Sequence, residues 1–377
     1  MGGFLFGYDT GIIGGVLTLA SFENSFRYTK ATSTTVNSLS VGLQSAGAFV
    51  ACLLVFPLSD YIGRKKTMMI CSSIFCLGAL IQVIDTHSLA AFYVARVIAG
   101  VGIGGASVVI PTYCSEMAPP EIRGRLGSFW QWMFTWGVFT SYWLDYGVER
   151  DVPSIARQWQ IPVGLQLVPG ALLGLLMLTL KESVRWLAKN GRDEEAWQSL
   201  KWMRADDSAL VAEEFDEIKA GVAEESTVTE GLSFREITQK QNLFRFILGF
   251  AVFTGQQATG ATALAYFAPQ FFSLLVGPGP KNLLITGVFG AVKVVACTFF
   301  ILFLSERFGR RTLLIGGALL MAACMIPIAV VDKVKPPPAE GATTSAGIGT
   351  VALIMIFIMI YNCSWGPLPW PYVRYEL

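Results

Sequence analysis

The sequence predicts an all-α polytopic membrane protein built from two related halves. Of its 377 residues, 53% are hydrophobic and only 15% are charged, whereas a soluble domain carries roughly 25% charged residues. The charges form short clusters between apolar runs of about 20 residues, the length that crosses a bilayer as a helix. The segment DYIGRKK at 60–66 returns as ERFGRR at 306–311. A repeated turn between apolar runs indicates one module used twice.

Ten apolar runs are long enough to form membrane-spanning helices. They lie at 2–20, 38–58, 67–84, 90–110, 127–146, 161–180, 245–272, 283–304, 312–331 and 347–369. Six runs precede a polar stretch and four follow it. We therefore expect an N-terminal six-helix half at 1–180, a cytoplasmic linker at 181–243 and a C-terminal half with four helices at 244–377. Within the linker, Asp193–Met203 and Glu213–Ile218 have the pattern of short amphipathic surface helices.

Composition argues against several other classes of protein. The net charge of +1 excludes a nucleic-acid surface of the usual strongly basic kind. The seven cysteines include no CxxC pair, and they are interpreted as small apolar packing residues. The lone His87 lies at a predicted loop, so neither a metal site nor another cofactor is expected.

The orientation follows from the distribution of lysine and arginine in short loops. These residues are denser after the even-numbered spans, as in Arg64–Lys66 and Arg310–Arg311, than after the odd-numbered spans. The even-numbered loops, the linker and the N-terminus are therefore expected in the cytoplasm. The polyproline loop that begins at Lys335 would then be extracellular.

The glycine-rich run at 100–105 fits the pattern GxGxxG. As a dinucleotide-binding motif, this pattern requires a preceding strand and a turn into a helix. Here it lies inside a predicted membrane helix between Arg96 and Pro111. We therefore interpret it as a surface for close helix packing.

A set of motifs in fixed order resembles the sugar porter family of the major facilitator superfamily, in particular its fungal branch for sugars and quinate. The matching residues run from Gly7 to Trp370 and include PTYCSE at 111–116, RGR at 123–125, ESVRWL at 182–187, QQATG at 256–260 and GPLPW at 366–370. The resemblance implies two six-helix halves, of which the second lacks two helices here. It also implies a plasma-membrane secondary transporter, a proton-coupled symporter of a hexose or pentose, acting as a monomer.

Asp9 and Arg96 are the intramembrane charges that the sequence pattern identifies in the first half. A carboxylate inside a membrane helix costs about 2.5–3.5 kcal/mol even on the lenient scale, so it normally has a partner and a function. We expect Asp9 to pair with Arg96 when ionised and to release it when protonated, which would couple proton movement to the conformational change. The alternative is a static buried ion pair.

The resemblance places substrate binding on polar residues of a central cavity. The corresponding residues are Gln131, Gln256, Gln257 and Trp370, with Thr262 where the family usually has an asparagine. An amide donates and accepts, as a sugar hydroxyl does, and an indole face covers the apolar side of a sugar ring. The alternative for each glutamine is an interhelical hydrogen bond.

Two gates are expected, one from the resemblance and one from the position of the repeated turns. The aromatic pair Tyr266 and Phe267 resembles an extracellular gate, although ordinary packing is the alternative. Ion pairs at the repeated turns are expected to form a cytoplasmic latch, from Asp60, Arg64, Glu116, Arg123, Glu306, Arg310 and Glu376.

Lys293 lies near the middle of the eighth predicted span and keeps a second substrate class open. Its ammonium would attract an anion such as quinate or a related cyclitol acid, unless it extends to water or pairs within the bundle. A sugar sensor that transports nothing also fits the pattern, and so does an inactive fragment, since two family helices have no counterpart. A membrane enzyme is not expected, because no catalytic or metal-ligand constellation is apparent.

Overall fold

The computed structural model describes residues 1–119, 123–206, 208–229, 239–277, 279–304, 307–334 and 344–370. These residues form helices joined by turns, and no strand occurs among them. The first part of the chain holds α1 (Gly2–Val16), α2 (Ala20–Phe26), α3 (Lys30–Ile62), α4 (Arg64–Val83), α5 (Leu89–Met117), α6 (Arg123–Asp151), α7 (Ala156–Leu165) and α8 (Leu167–Thr179).

The polar stretch between the halves folds into α9 (Val184–Lys189), α10 (Asp193–Arg204) and α11 (Ala209–Thr229). The helix α10 coincides with the first predicted surface helix. The second was predicted too short, because α11 has 21 residues. The linker helices share one apolar core with the first half, where Trp186 and Leu200 join a cluster that contains Phe75.

The later part of the chain holds α12 (Lys240–Ala258), α13 (Ala261–Val276), α14 (Pro280–Phe299), a π-helix at Phe300–Leu304, α15 (Arg310–Val334) and α16 (Ser345–Asn362). Over the described residues, eight helical segments are long and apolar enough to cross a membrane, or nine if the bent pair α1–α2 is one span. Counted this way, nine of the ten predicted spans are among them. The difference is α6, whose 29 residues are long enough but include Gln131, Asp145 and Glu149. The all-α polytopic fold class is confirmed.

Three of the predicted spans are broken helices. The chain turns by 80° between α1 and α2, and Gln166 separates α7 from α8. The seventh span breaks at Gly260, whose φ of 78° favours a residue without a Cβ atom. This break ends α12 at Ala258, so Gln256 and Gln257 lie in its last turn.

A proline kink in α13 is stabilised from the first half. Pro269 has no N–H group, so the carbonyl of Ala265 loses its helical donor, and Phe267 leaves helical geometry at φ −113° and ψ 17°. The hydroxyl of Tyr142 on α6 donates to the Ala265 carbonyl at 2.5 Å. The kink is therefore part of the contact between the two halves.

Glycines bring the helices of the first half into backbone contact. A Cβ atom at Gly100 or Gly104 of α5 would overlap the α3 backbone, and one at Gly102 would overlap α4. This confirms the packing interpretation of the glycine run. A second series, Gly3, Gly7, Gly11 and Gly15 on α1, faces α6 at every fourth residue, and it was not among the predicted packing surfaces.

Candidate functional site

A cavity of about 570 Å³ lies between the two halves. Seven of the predicted site residues line this cavity, each with a polar or aromatic side chain. They come from α1, α6, α12, α13 and the segment after α16, and they are Asp9, Gln131, Gln256, Gln257, Thr262, Tyr266 and Trp370. Residues far apart in sequence thus meet around one space large enough for a small molecule. Phe267 is not part of this wall.

Of the predicted proton-coupling pair, Asp9 lines the cavity and Arg96 lies behind it, and both side chains are almost fully enclosed. Asp9 is 1% exposed and Arg96 is 0% exposed. The Arg96 Nη1 group donates to Asp9 Oδ1 at 3.2 Å, and its Nε group donates to the Ser40 carbonyl at 2.9 Å. Gln44 Nε2 donates to the other oxygen of Asp9. Three helices, α1, α3 and α5, therefore meet at one carboxylate.

This polar cluster is incompletely satisfied. Arg96 Nη2 and Gln44 Oε1 are buried and have no hydrogen-bond partner in the described part of the chain. Unmade hydrogen bonds of this kind cost about 1–3 kcal/mol each, and a buried ion pair by itself is weak evidence for stability. A proton added to Asp9 would therefore change the contacts of its carboxylate with both Arg96 and Gln44.

The three predicted glutamines differ in what their amides bind. Gln256 Nε2 donates to the carbonyls of Trp365 and Gly366, at 2.9 and 3.2 Å. Its donor group therefore holds the chain after α16, as the interhelical alternative anticipated. Within the described chain, the side chains of Gln131 and Gln257 form no hydrogen bond, which leaves both amides free for a bound molecule.

Aromatic rings close one part of the cavity wall. Trp370 lies with its ring centroid 5.3 Å from Phe253 of α12 and 6.4 Å from Trp130 of α6. Indole faces of this kind suit the apolar side of a sugar or cyclitol ring. The cluster also links the two halves through side chains alone.

The predicted aromatic gate residues occupy different environments. Tyr266 lines the cavity, and its backbone carbonyl lies against Gly14 of α1. One turn later, Gln270 Nε2 donates to the Gly14 carbonyl at 3.0 Å. Both residues pack against the apolar cluster that contains Ile12, and for Phe267, which is not in the cavity wall, this fits the alternative of ordinary packing.

The first-half members of the predicted latch converge on Arg64. Its Nη1 group donates to Asp60 at 2.7 Å, and its Nε and Nη2 groups donate to Glu116 at 2.9–3.2 Å. The Ser183 hydroxyl donates to the same Glu116 carboxylate. The backbone N–H of Lys65 donates to Glu182 at 3.0 Å. These contacts join α3, α4 and α5 to the linker.

Several other members of the predicted latch fall at the edges of the described chain. Glu306 and Glu376 lie outside the described residues, and so does the side chain of Arg123. Arg310 begins α15. The contacts described for Arg64 and Glu116 are with the first half and the linker.

The lysine predicted near the middle of the eighth span belongs to the cavity wall. Lys293 is 2% exposed and lines the cavity; its Nζ lies 5.3 Å from the ring centroid of Phe134 and 5.9 Å from that of Phe289. Cation–π contacts contribute about 0.5–2 kcal/mol, whereas burying an ion costs several kcal/mol. The contacts with the two rings therefore offset only part of the free-energy cost of burying this ammonium group.

Asp145 of α6 is a third intramembrane charge of the first half, and it was not among the predicted site residues. It is 0% exposed, and among the residues that the structure describes neither carboxylate oxygen has a hydrogen-bond donor. The carboxylate lies against Gly15 of α1, where a Cβ atom would overlap it. Its position inside the predicted span 127–146 was the signal that could have identified it.

Comparison with known proteins identifies the family. The model of the family "Sugar (and other) transporter" matches residues 1–374. The chain is 35% identical over 379 residues to the quinate permease of Emericella nidulans, and the alignment covers 97% of this chain and 71% of that protein. It is 34% identical over 381 residues to a probable quinate permease of Aspergillus niger, with 97% and 70% covered.

Solved structures share the fold. The proton:xylose symporter XylE, bound to 6-bromo-6-deoxy-D-glucose, superposes with a TM-score of 0.83 at 24% identity, over 98% of this chain and 79% of that one. A partially occluded inward open conformation of the xylose transporter XylE from E. coli gives a TM-score of 0.81 at 23% identity, over 100% and 83%. The family match over residues 1–374 and the relatives at 34–35% identity show that the chain belongs to the sugar transporter family, and its fold is that of the major facilitator superfamily.

Proposed function

We propose that the protein moves a polyhydroxylated small molecule across a membrane by alternating access, together with a proton that binds at Asp9. The observation that carries this proposal is the buried ion pair between Arg96 and Asp9, of which Asp9 lines a cavity between the two halves. An enclosed acid beside a substrate-sized cavity is typical of proton relays in transporters.

The pair suggests how the proton acts. With Asp9 ionised, Arg96 and Gln44 both donate to its carboxylate, so α1 is tied to α3 and α5. Protonation removes the charge that Arg96 binds, and this weakens the tie. A change in proton occupancy then alters how tightly α1 is held, and α1 also contacts α13 of the second half through Gly14.

A hexose or pentose is the first candidate substrate, and quinate is the second. Gln131, Gln257 and Thr262 offer donors and acceptors to ring hydroxyls, and Trp370 offers an apolar face. The names of the relatives at 34–35% identity favour quinate. The plasma membrane, with the N-terminus in the cytoplasm, is the proposed location.

Radiolabelled uptake tests the proposal. The full chain, expressed in a transporter-null cell, should accumulate glucose, xylose or quinate at an external pH of about 5, and a protonophore should collapse the accumulation. Accumulation that survives the protonophore would contradict proton coupling. Binding without uptake would identify the protein as a sensor, and loss of both would identify an inactive chain.

We further propose that the cluster at Arg64 is a latch that holds the cytoplasmic side closed. Exposed ion pairs contribute under about 1 kcal/mol each, but Arg64 binds two carboxylates and is only 10% exposed as a side chain. A partly buried network of this kind can bias a two-state equilibrium.

Arg64→Glu should open the cavity towards the cytoplasm, since it places a third acid beside Asp60 and Glu116. In a background where Cys52 is the remaining cysteine, an impermeant thiol reagent can report the opening, because Cys52 lines the cavity. We expect labelling from the cytoplasmic side to rise about tenfold, which corresponds to a bias of about 1.4 kcal/mol. Lys66→Glu is the matched control, because Lys66 is exposed. Equal labelling of both variants would refute the latch.

A further inference from the structure

We propose that the ammonium of Lys293 binds a carboxylate of the substrate, so that the molecule carried is a hydroxylated carboxylic acid in its anionic form. The inference rests on the proposed transport function and names the substrate class of the same cavity. Lys293 lies on α14, in the cavity wall, and is 2% exposed. A cationic side chain enclosed this far normally has a counter-charge.

The protein supplies no such counter-charge in the part of the chain that the structure describes, where no carboxylate oxygen lies within 4.0 Å of Lys293 Nζ. Asp9 lines the same cavity, but Arg96 and Gln44 already donate to its oxygens. The immediate neighbours of the ammonium are the rings of Phe134 and Phe289. The missing anion is therefore one that a ligand in the cavity can bring.

Groups that recognise hydroxyls lie beside this ammonium. Phe134, which Lys293 contacts, follows Gln131 on α6 by three residues, a rise of about 4.5 Å along the helix. Three residues apart also means the same face of the helix. A ring with a carboxylate at Lys293 would thus present its hydroxyls to Gln131, whose amide is free of hydrogen bonds within the described chain.

The cavity then discriminates by charge. A neutral sugar leaves the buried ammonium without an anion, and its entry removes any water that solvated the charge. A hydroxylated acid brings the anion and keeps the same hydroxyl contacts. Selectivity against the neutral analogue therefore arises from a charge left unpaired, which is a larger penalty than a missing apolar contact.

The proposal also fixes the charge moved in one cycle. One monovalent anion and one proton at Asp9 add no net charge, so their joint transfer is electroneutral. A neutral sugar with one proton moves one positive charge, and a potential of about 100 mV then changes the limiting accumulation about fifty-fold. A potassium diffusion potential, imposed with valinomycin on proteoliposomes, should leave the accumulation ratio of quinate unchanged.

Binding to the purified full chain tests the role of Lys293 separately from transport. Probes are quinate, its methyl ester and myo-inositol, a neutral cyclic polyol. We expect Lys293→Met to weaken quinate binding about thirty-fold or more, the range seen when one partner of a buried charge pair is removed. Myo-inositol should bind the variant as tightly as the wild type or more tightly, because the charge that a neutral polyol leaves unpaired is gone. Lys281→Met is the matched control, because Lys281 is exposed near the start of the same helix.

The wild-type protein alone provides a second measurement if the variant fails to fold, since quinate should bind about thirty-fold more tightly than its methyl ester. Equal binding of acid and ester, or equal quinate binding by wild type and Lys293→Met, would overturn the inference. Failure of the proposed transport function has a different signature: quinate binds with the expected dependence on Lys293 but is not accumulated under a pH gradient.

Discussion

Asp9→Asn should abolish accumulation driven by a pH gradient while leaving exchange of the substrate intact. Asparagine has the shape of a protonated aspartic acid and can still accept a hydrogen bond from Gln44, but it cannot lose a proton. A symporter with one proton per substrate accumulates up to about tenfold for each pH unit, because one unit corresponds to about 1.36 kcal/mol. For Asp9→Asn the ratio of internal to external substrate should stay near unity.

Counterflow in proteoliposomes separates the two parts of this prediction. Vesicles loaded with unlabelled substrate should still take up labelled substrate through Asp9→Asn, since exchange needs no net proton movement. Asp151→Asn is the matched control, because its carboxylate is exposed at the end of α6. If Asp9→Asn accumulated substrate as the wild type does, the ion pair would be static.

The pairing of Asp9 with Arg96 was predictable from the sequence, because a charged side chain inside an apolar run is energetically costly and is normally paired with an opposite charge. Gln44 was not, because an uncharged amide in a membrane helix gives no such signal. The role of Gln44 depends on which side of α3 is turned towards α1. Sequence periodicity does not determine that side when a helix is apolar on most of its surface. Asp145 was missed for another reason, since it stands close to the polar end of its predicted span.

The cavity residues illustrate a second limit. The resemblance selected Gln256 and Gln257 together, yet Gln256 donates to the Trp365 carbonyl, whereas the Gln257 side chain forms no hydrogen bond within the described chain. Adjacent residues on a helix point about 100° apart, so only one of the two can face a given neighbour. The assignment of donors therefore required the position of the chain after α16.

Gly7→Ala should destabilise the folded protein more than Gly11→Ala in the same helix or Gly147→Ala in α6. A Cβ atom at Gly7 would overlap the backbone carbonyl of Phe134, and the opposing Gly137 of α6 lies equally close to the α1 backbone. Backbone cannot rotate away as a side chain does, so the two helices must separate. Overpacking costs about 1–3 kcal/mol and occasionally more, while alanine returns at most about 1 kcal/mol of helix propensity.

A graded series of alanine substitutions tests this account of the α1–α6 contact. At Gly11 the first atom that a methyl group meets is the Ser141 hydroxyl, a side-chain atom that can turn aside, so Gly11→Ala should cost less than Gly7→Ala. Gly147 of α6 has no heavy atom within 4 Å of the position a Cβ would take, and Gly147→Ala should be neutral or slightly stabilising. Melting temperatures in detergent should therefore be lowest for Gly7→Ala and highest for Gly147→Ala. Equal values for these two variants would mean that α1 is free to move away from α6, and the position of Asp9 would then depend on its hydrogen bonds alone.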